Sequence, residues 1–369
     1  MESDFYEFTA IRGVQAGSAY YVLMCPLKLV ARLFRFNESE IPADLRAQRV
    51  LNRARVPTIS RYITDHPKEY ILSSLCASVD GEIDFVPAAS EGPLRSVGRL
   101  RVSMTSTILI NDGQHRRAAI EEAVHERPLL GDETISVVVF VDRGLERSQQ
   151  MFADLNLHAV RPTRSIGVLY DHRDPLAALV RQVIAEIPLF RDFTDLERTS
   201  IPNRSLKLFT LSGLHQATEA LLGKGTNSQI TDVDRELTIR FWQTVASAMA
   251  DWRAAAARNV SSAELRRDYV HAHGVALQAI GVAGARLIAL YPKDWEKRLA
   301  GLGGVDWSRA NRDLWEGRAL VHGRINKGRT NVLLSANVIL KELGVPLDPD
   351  GEALERLHMA HPANSLAHV

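Results

Sequence analysis

The chain has 369 residues, 46% of them hydrophobic, and its 45 basic and 44 acidic residues leave a net charge of +1. This length predicts two or three folded domains, and the charge balance excludes a global attraction to nucleic acid, so any such binding must use local clusters. Two cysteines, Cys25 and Cys76, exclude a disulfide scaffold or a cysteine-based zinc site. Both lie among apolar residues, which predicts buried thiols and leaves the role of Cys25 open. Without a secretory signal pattern or an apolar run of roughly 18 residues, the sequence predicts a cytoplasmic protein that does not bind a membrane.

Strands and turns dominate the first part of the chain. Glycine-containing turns at residues 16–18 and at Asp80-Gly81 separate strand patterns, and the first of them predicts a hairpin. The apolar run Val137–Val141 does not alternate, which predicts a strand buried on both faces. The predicted elements are, in chain order, the hairpin strands, helices over 41–56 and 57–67, strands over 75–87, a loop over 88–97, and a strand–helix–strand unit over 106–142.

Helical patterns follow from residue 144 onward. Asp174 before Pro175 is a predicted N-cap, and Thr231 and Ser261 begin capping-box patterns. The predicted helices cover residues 145–156, 174–187, 205–222, 231–257, 261–291 and 331–343. The fold class is therefore α+β, with an α/β domain over residues 1–143, a mostly helical domain over 144–350 and a polar, frayed tail over 351–369.

Several polar and aromatic residues of the helical part are predicted to belong to its core. Small residues around Gly281 and Gly284 predict close helix–helix packing. The other residues predicted to pack in the core are His271, His273, Trp307 and Trp315.

Two clusters of basic residues could contact DNA phosphates. One is a face of the helix predicted over 41–56, and the other is a glycine-containing segment over 318–329; neither has an interleaved acid. A solvated surface is the alternative interpretation of each. The candidate DNA-binding residues are Arg46, Arg49, Arg53, Arg324, Lys327 and Arg329, with Arg318 beside the second group.

A predicted strand turns sharply into a helix at the sequence Asp-Gly-Gln-His-Arg. Asp112 is the expected N-cap, and Gly113 permits the change of direction. Gln114, His115 and Arg116 then occupy the first helical turn, where free N–H groups, the helix dipole and a guanidinium favour an anion. The alternative is that Asp112 is an ordinary helix cap and that the polar residues after it form a solvated surface patch.

The segment NDGQHRRAAI resembles the signature of the DGQHR-domain family, and the wider chain is similar to the DndB family of DNA sulfur modification proteins. The matching segments also include MFADLNLHAVRPTRSIGVLYDHRDPLA, RSLKLFTLSGLHQA and DWSRANRDLWEGR, so the resemblance covers most of the chain. It implies a place in bacterial DNA phosphorothioation, in which sulfur replaces a backbone oxygen, and a repressor that binds double-stranded promoter DNA of the modification operon.

The turn also resembles the one at which ParB and sulfiredoxin bind nucleotide phosphates. That resemblance implies a ParB/sulfiredoxin-like first domain and a phosphate or nucleotide pocket. The residues implied to line the pocket are Gly113, Gln114, His115, Arg116 and Asn156. The analogy stops at about residue 165, so a helix-turn-helix does not follow from it.

An enzyme is the alternative function. A nucleotide hydrolase, or a nuclease acting near modified DNA, would use Asp112, His115 and Arg116 as catalytic residues. The cofactor is left unknown by the sequence, and a nucleotide with Mg²⁺ is the candidate for either function. A protein-only metal site that adds Asp171 and His172 lacks the usual ligand spacing, so no metal site is predicted. A homo-oligomer is left open by the sequence.

Overall fold

The computed structural model describes residues 5–34, 53–141, 162–202, 204–225 and 228–360. The chain divides into two units, residues 1–160 and 161–369. The boundary predicted after residue 143 falls within residues 142–161, outside the described ranges, and stays a prediction.

A mixed sheet is the framework of the first unit. Its described strands are β1 (Phe5–Gln15), β2 (Ser18–Pro26), β3 (Leu75–Asp80), β4 (Ile83–Pro87), β5 (Val97–Ser103), β6 (Thr107–Asp112) and β7 (Thr134–Val141). Their order is β4-β5-β1-β2-β7-β3-β6. Only β3 and β7 are parallel neighbours, and all the other pairs are antiparallel. The predicted strand–helix–strand unit is present, but β3 lies between its two strands.

The predicted hairpin of β1 and β2 is confirmed. Gln15 pairs with Ser18, so the turn consists of Ala16 and Gly17, with φ angles of 48° and 73°. Positive φ at both positions is what a type I′ turn requires, and glycine adopts it without a steric penalty.

The helices described beside the sheet are α1 (Leu27–Leu33), α2 (Val56–Asp65) and α3 (Gln114–Glu126). Helix α3 packs against α1 and α2, and Ile63 and Ile120 from these helices are fully buried in the same core as the strands. The helix predicted over 57–67 is thereby confirmed. Most of the helix predicted over 41–56 lies outside the described residues.

Strand β7 alternates between two environments. Ile135, Val137 and Val139 are buried in the core, whereas Val138 and Phe140 are only half-buried. The prediction of a strand buried on both faces is therefore wrong. Successive side chains of a strand point to opposite faces, and only one face of β7 points into the core shared with the helices.

The second unit is mostly helical. Its described helices are α4 (Arg164–Tyr170), α5 (Pro175–Glu186), α6 (Pro188–Phe193), α7 (Leu211–Leu222), α8 (Asp232–Ala248), α9 (Ala250–Ala256), α10 (Ser262–Asp268), α11 (Gly274–Leu290), α12 (Trp295–Leu299), α13 (Arg312–Trp315), α14 (Arg329–Glu342) and α15 (Pro349–Ala360). Its short strands are β8 (Thr194–Asp195), β9 (Phe209–Thr210), β10 (Leu320–Val321) and β11 (Arg324–Ile325). Within the described ranges of both units, no helix combines the length and apolar character needed to cross a membrane.

Helices α7 and α11 form the closest helix pair of the second unit, and glycines make that approach feasible. A Cβ built on Gly281 would lie 2.1 Å from the carbonyl oxygen of Ala217, and one on Gly284 would lie 2.3 Å from the ring of Phe241. The predicted close helix–helix packing is confirmed.

Several helices begin or break at residues other than those that the sequence periodicity predicted. Helix α7 begins at Leu211 rather than at residue 205, because the Thr210 hydroxyl caps it and Phe209 pairs in the small sheet of β8 and β9. The long helices predicted over 231–257 and 261–291 are each two helices. The first breaks at Met249, and the second breaks at residues 269–273, where Tyr269 bridges to Ser308.

The predicted caps are partly confirmed. Asp174 accepts a hydrogen bond from the Leu176 N–H at the start of α5, as predicted. Thr231 and Asp234 form a complete capping box at α8. At α10, the structure shows the Ser261 hydroxyl accepting from the backbone of residue 264, and gives no return bond there.

The C-terminal segment differs from the predicted polar tail. Residues 351–360 belong to α15, whose Glu355 and His358 are buried. The polar residues at these positions are packed against the rest of the unit, so the helix does not fray there. The remaining residues, 361–369, lie outside the described part of the chain.

Candidate functional site

The Asp-Gly-Gln-His-Arg turn joins the end of β6 to the start of α3. Gly113 has a φ of 103°, and a Cβ at this position would lie 2.5 Å from Leu75 and 3.0 Å from the Arg116 guanidinium. Both the backbone conformation and the crowding therefore require glycine. The first turn of α3 has no side-chain cap and contains no acidic residue.

Asp112 is not the N-cap of α3, contrary to the sequence-based expectation. Gly113 occupies the cap position, and Asp112 remains in strand β6, paired with Cys76. Its carboxylate accepts from Nη2 of Arg116 at 2.7 Å instead. The strand keeps the Asp112 backbone extended, which directs its side chain toward the residue four positions ahead on the helix.

Arg116 is held by two neighbours. Besides the Asp112 carboxylate, its guanidinium donates to the hydroxyl of Ser73. The side chain is 19% exposed. Part of the guanidinium fork is thus engaged within the protein, and a phosphate at this turn would have to compete with Asp112.

His115 is half-buried in the first turn of α3. Burial lowers the pKa of its imidazole, the positive charge of Arg55 lowers it further, and Asp112 partly opposes both effects. The imidazole is therefore mostly neutral at pH 7, which suits a proton acceptor better than a fixed cation. Arg55 was missed from the sequence, since 60 residues separate it from His115. The expected Gln114 is also at this turn, as the first residue of α3.

Arg117, the next residue, has a structural role. Its guanidinium donates to the carbonyl oxygens of Phe34 and Ala31 at 3.1 and 2.8 Å, and to the carboxylate of Glu121 at 2.6 Å. The two carbonyls are at the C-terminal end of α1, where backbone acceptors lack helical partners. Arg117 therefore fastens α1 to α3.

Several predicted residues cannot be placed. Arg46, Arg49 and Asn156 lie outside the described residues. Of Arg53, only the backbone is described, in a 3₁₀ turn over Arg53–Arg55. Their predicted contacts with DNA or phosphate remain predictions.

The two cysteines are buried, as predicted. Burial raises the pKa of the Cys25 thiol to about 12, and the same cause raises that of Cys76 to about 12. Both thiols therefore stay protonated at neutral pH, which makes them poor nucleophiles.

The second basic cluster is built around a small hairpin. Strands β10 and β11 are joined by a turn at His322 and Gly323, both with positive φ. Arg324, Lys327 and Arg329 are exposed on and just after β11, and none of their side chains forms a hydrogen bond or ion pair with any residue that the structure describes.

Arg318 does not belong to that exposed cluster. It is buried, and its Nη2 donates to the Glu355 carboxylate at 2.9 Å. Glu355 also accepts from Lys341 at 2.6 Å and from Asn337 at 3.2 Å. The sequence suggested a free cation because the partner acid is 37 residues away and on another helix.

The acids and histidine before α5 are explained locally. The Asp171 carboxylate accepts from the backbone N–H groups of Arg173 and Asp174, each at 3.1 Å. Asp174 in turn caps α5, and His172 is exposed. Within the part of the chain covered by the structure, no three His, Cys, Asp or Glu side chains are grouped so that they could hold a metal ion.

His271 belongs to the core, as predicted. Trp252 Nε1 donates to its Nδ1 at 3.0 Å, and its Nε2 lies 2.9 Å from the Asp251 carboxylate. Trp307 and Trp315 are also buried and stack on each other with ring centroids 5.5 Å apart. His273 differs, because it lines a cavity.

The comparisons with known proteins assign the chain to a family. A family model described as DndB, DNA-sulfur modification-associated, matches residues 8–346. A search of curated proteins and a search of solved structures returned no match. The family model spans nearly the whole chain, including the turn and the basic hairpin. The chain therefore belongs to the DndB family, which is associated with DNA sulfur modification.

Proposed function

We propose that this protein is a DNA-binding regulator, the repressor of an operon for DNA phosphorothioation. The observation that carries the proposal is the surface formed by Arg324, Lys327 and Arg329, hereafter the hairpin surface. These three cations have no acidic partner among the described residues, so their charge is available to an external polyanion.

The backbone adds to this surface. Helix α14 begins at Arg329, directly after β11, and its cap residue Gly328 supplies no side-chain bond. Its first turn contains no acid. Free N–H groups at a helix start bind phosphate well, so the helix start and the three cations are suited to the same kind of ligand.

The turn in the first unit would be a phosphate or nucleotide pocket of the same regulator. Its supports are the uncapped start of α3, the nearby cation of Arg55 and the family resemblance of the motif. Nucleotide binding there would require Arg116 to share its guanidinium between Asp112 and the phosphate.

The proposal is tested by fluorescence anisotropy with a labelled duplex from upstream of the protein's own operon and an unrelated duplex. We expect preference for the operon duplex and a steep salt dependence. Changing Arg324, Lys327 and Arg329 together to Gln should lower the slope of log K against log[salt] by about 2 to 3, roughly one for each lost phosphate contact.

A matched control keeps the change in charge but moves its location. Arg253, Lys293 and Lys297 are exposed in the same unit and also lack acidic partners among the described residues, and changing them to Gln should leave the slope unchanged. Equal slopes for both triple variants would remove the hairpin surface from the DNA contact. The same affinity for both duplexes would contradict the regulator function itself.

An enzyme remains the second candidate because His115 has the protonation state that a general base needs. In that case wild-type protein releases phosphate from ATP or GTP, or nicks DNA, and His115→Ala abolishes the activity. Identical background rates for the two proteins would eliminate the enzyme.

A further inference from the structure

The second unit contains a cavity that shares only Lys327 with the hairpin surface. It has a volume of about 690 Å³, and it lies among α10, the start of α11, the segment before α7, and the residues after β11. This size is within the range of about 300–1,000 Å³ typical of small-molecule sites.

The lining of the cavity is rich in positive charge. Arg266, Arg267, Arg309 and Lys327 all contribute to its lining, and no Asp or Glu does. Arg267 has an acidic partner just outside the lining, Asp268 at 2.6 Å. Arg309 instead donates to the backbone carbonyls of residues 266, 267 and 323.

Lys327 is the most available of these cations. A Cβ built on Gly274 would lie 3.6 Å from its ammonium nitrogen, so Lys327 reaches over the first residue of α11. It has no hydrogen bond or ion pair within the described residues. Helix α11 has no side-chain cap and no acid in its first turn, so N–H groups and a cation converge at one end of the cavity.

His273 marks the same end. Its Nε2 lies 2.8 Å from the backbone carbonyl of Arg266, to which it donates. Burial lowers the pKa of His273 to about 4, and Arg309, Lys327 and Arg266 contribute to the lowering. The positive charges of these three residues thus add to the effect of burial on the His273 imidazole.

The cavity lining also contains apolar residues. They are Ile201, Leu208, Phe209, Leu277 and Ile325, of which Ile201 and Ile325 are only half-buried. A simple inorganic anion would leave these apolar residues without a contact. The lining therefore matches a ligand with an anionic end and a flat or apolar body.

We propose that this cavity binds a phosphorylated small molecule of nucleotide size. Its phosphates would contact Lys327, Arg309 and the start of α11, and its base would lie against Ile201 and Ile325, the half-buried apolar residues of the lining. The assignment does not depend on DNA binding, although Lys327 belongs to both surfaces.

Isothermal titration calorimetry on the full chain at low salt tests this site with ATP, AMP and pyrophosphate. We expect saturable binding of ATP. Pyrophosphate should bind more weakly, because it has no group to contact the apolar residues of the lining. Lys327→Gln should weaken ATP binding about tenfold, the scale of one lost charge-assisted contact. Lys293→Gln is the control, because Lys293 lies beyond the other end of the 17-residue helix α11, about 25 Å along its axis.

A second variant tests whether ATP binding needs the open volume of the cavity rather than the charge of its lining. Ala263 lines the cavity from an exposed position on α10, so Ala263→Trp should fill the space without disturbing the core. We expect it to remove the same ATP binding that Lys327→Gln weakens, while the thermal unfolding midpoint stays near that of wild type.

Four results would overturn the proposal. The first is that wild type does not bind ATP saturably, and the second is that both Lys327→Gln and Ala263→Trp bind ATP with unchanged affinity. The third is that pyrophosphate binds as tightly as ATP. The fourth is that ATP binding is lost in Arg116→Gln but kept in Lys327→Gln. The last result would place the nucleotide at the turn of the first unit. A short DNA duplex that binds in an Ala263→Trp-sensitive way while ATP does not would assign the cavity to nucleic-acid phosphate instead. The operon-duplex experiment is separate, so either proposal can fail alone.

Discussion

Arg116 donates to the Asp112 carboxylate across 2.7 Å, so the last residue of the Asp-Gly-Gln-His-Arg motif is paired with its first. Asp112, which the sequence suggested as a helix cap, therefore binds the guanidinium of Arg116, which the sequence suggested as a phosphate contact. A phosphate bound at this turn, as proposed, would compete with Asp112 for one cation.

Removing the charge of Asp112 should strengthen phosphate binding at the turn. Asp112→Asn frees Arg116, and we expect about threefold to tenfold tighter binding of pyrophosphate, measured by calorimetry in a Lys327→Gln background that weakens the second cavity. Glu121→Gln is the matched control, since it breaks a similar pair, Arg117–Glu121, on the same helix. Equal pyrophosphate affinity in Asp112→Asn and Glu121→Gln would show that the turn does not bind phosphate through Arg116.

His273 should make the second unit sensitive to acid. Its pKa of about 4 in the folded protein lies below its ordinary 6.5, so between these pH values the unfolded chain binds a proton that the folded chain does not. The stability it contributes is complete above about pH 6.5 and is lost as the pH falls toward 4, by up to about 3 kcal/mol.

Urea unfolding at pH 7.5 and pH 5 measures this loss. His273→Gln keeps a donor for the Arg266 carbonyl and should flatten the pH dependence, whereas His172→Gln, at an exposed position in the same unit, should not. A pH dependence of His273→Gln equal to that of wild type would contradict the prediction.

The buried ion pair of Arg318 and Glu355 should contribute strongly to the packing of α15 against the rest of the second unit. Arg318→Ala leaves a buried carboxylate with one cation fewer, and we expect a loss of about 3 kcal/mol in the free energy of unfolding. Arg356→Ala is the control, because Arg356 is 71% exposed in its pair with Glu352, and it should cost less than about 0.5 kcal/mol.

The same pair has a predicted pH signature. Hydrogen bonds from Arg318, Lys341 and Asn337 outweigh burial and lower the pKa of Glu355 to about 2. Its stabilisation is therefore present above the ordinary carboxyl pKa and lost as the pH falls toward 2.

Similar unfolding free energies for Arg318→Ala and Arg356→Ala would show that α15 is held by other contacts.

Gly281 should be intolerant of a methyl group. Gly281→Ala places a Cβ 2.1 Å from the Ala217 carbonyl oxygen, so α7 and α11 must separate, at a cost of about 1–3 kcal/mol. Gly167→Ala, in the interior of α4, meets no atom within 4 Å and should stabilise by about 0.5–1 kcal/mol through helix propensity. Chemical denaturation compares them, and a neutral effect of Gly281→Ala would mean that the two helices are less tightly packed.

Local patterns in the sequence predicted most of the elements of the first unit. Alternation and turn residues predicted β1 and β2, and the glycine after β6 predicted the start of α3. The order of the strands was not predictable, because β3 inserts between β6 and β7 through pairings that no local pattern records. The side chain of Asp112 had two plausible partners, the helix start and Arg116, and only the extended backbone at the end of β6 decides between them.

By itself, the sequence determined the family resemblance, the α+β class, the strand-to-helix turn and the basic segment at Arg324–Arg329, since each of these depends on residues close together in the chain. Only the tertiary structure decided which cations are paired with acids and which lie at the cavity. It paired Arg318 with Glu355 across 37 residues, and it brought Arg266, Arg309 and Lys327 to one cavity from three separate segments. Charge compensation depends on distance in space, and for these residues only the packing of the helices sets that distance.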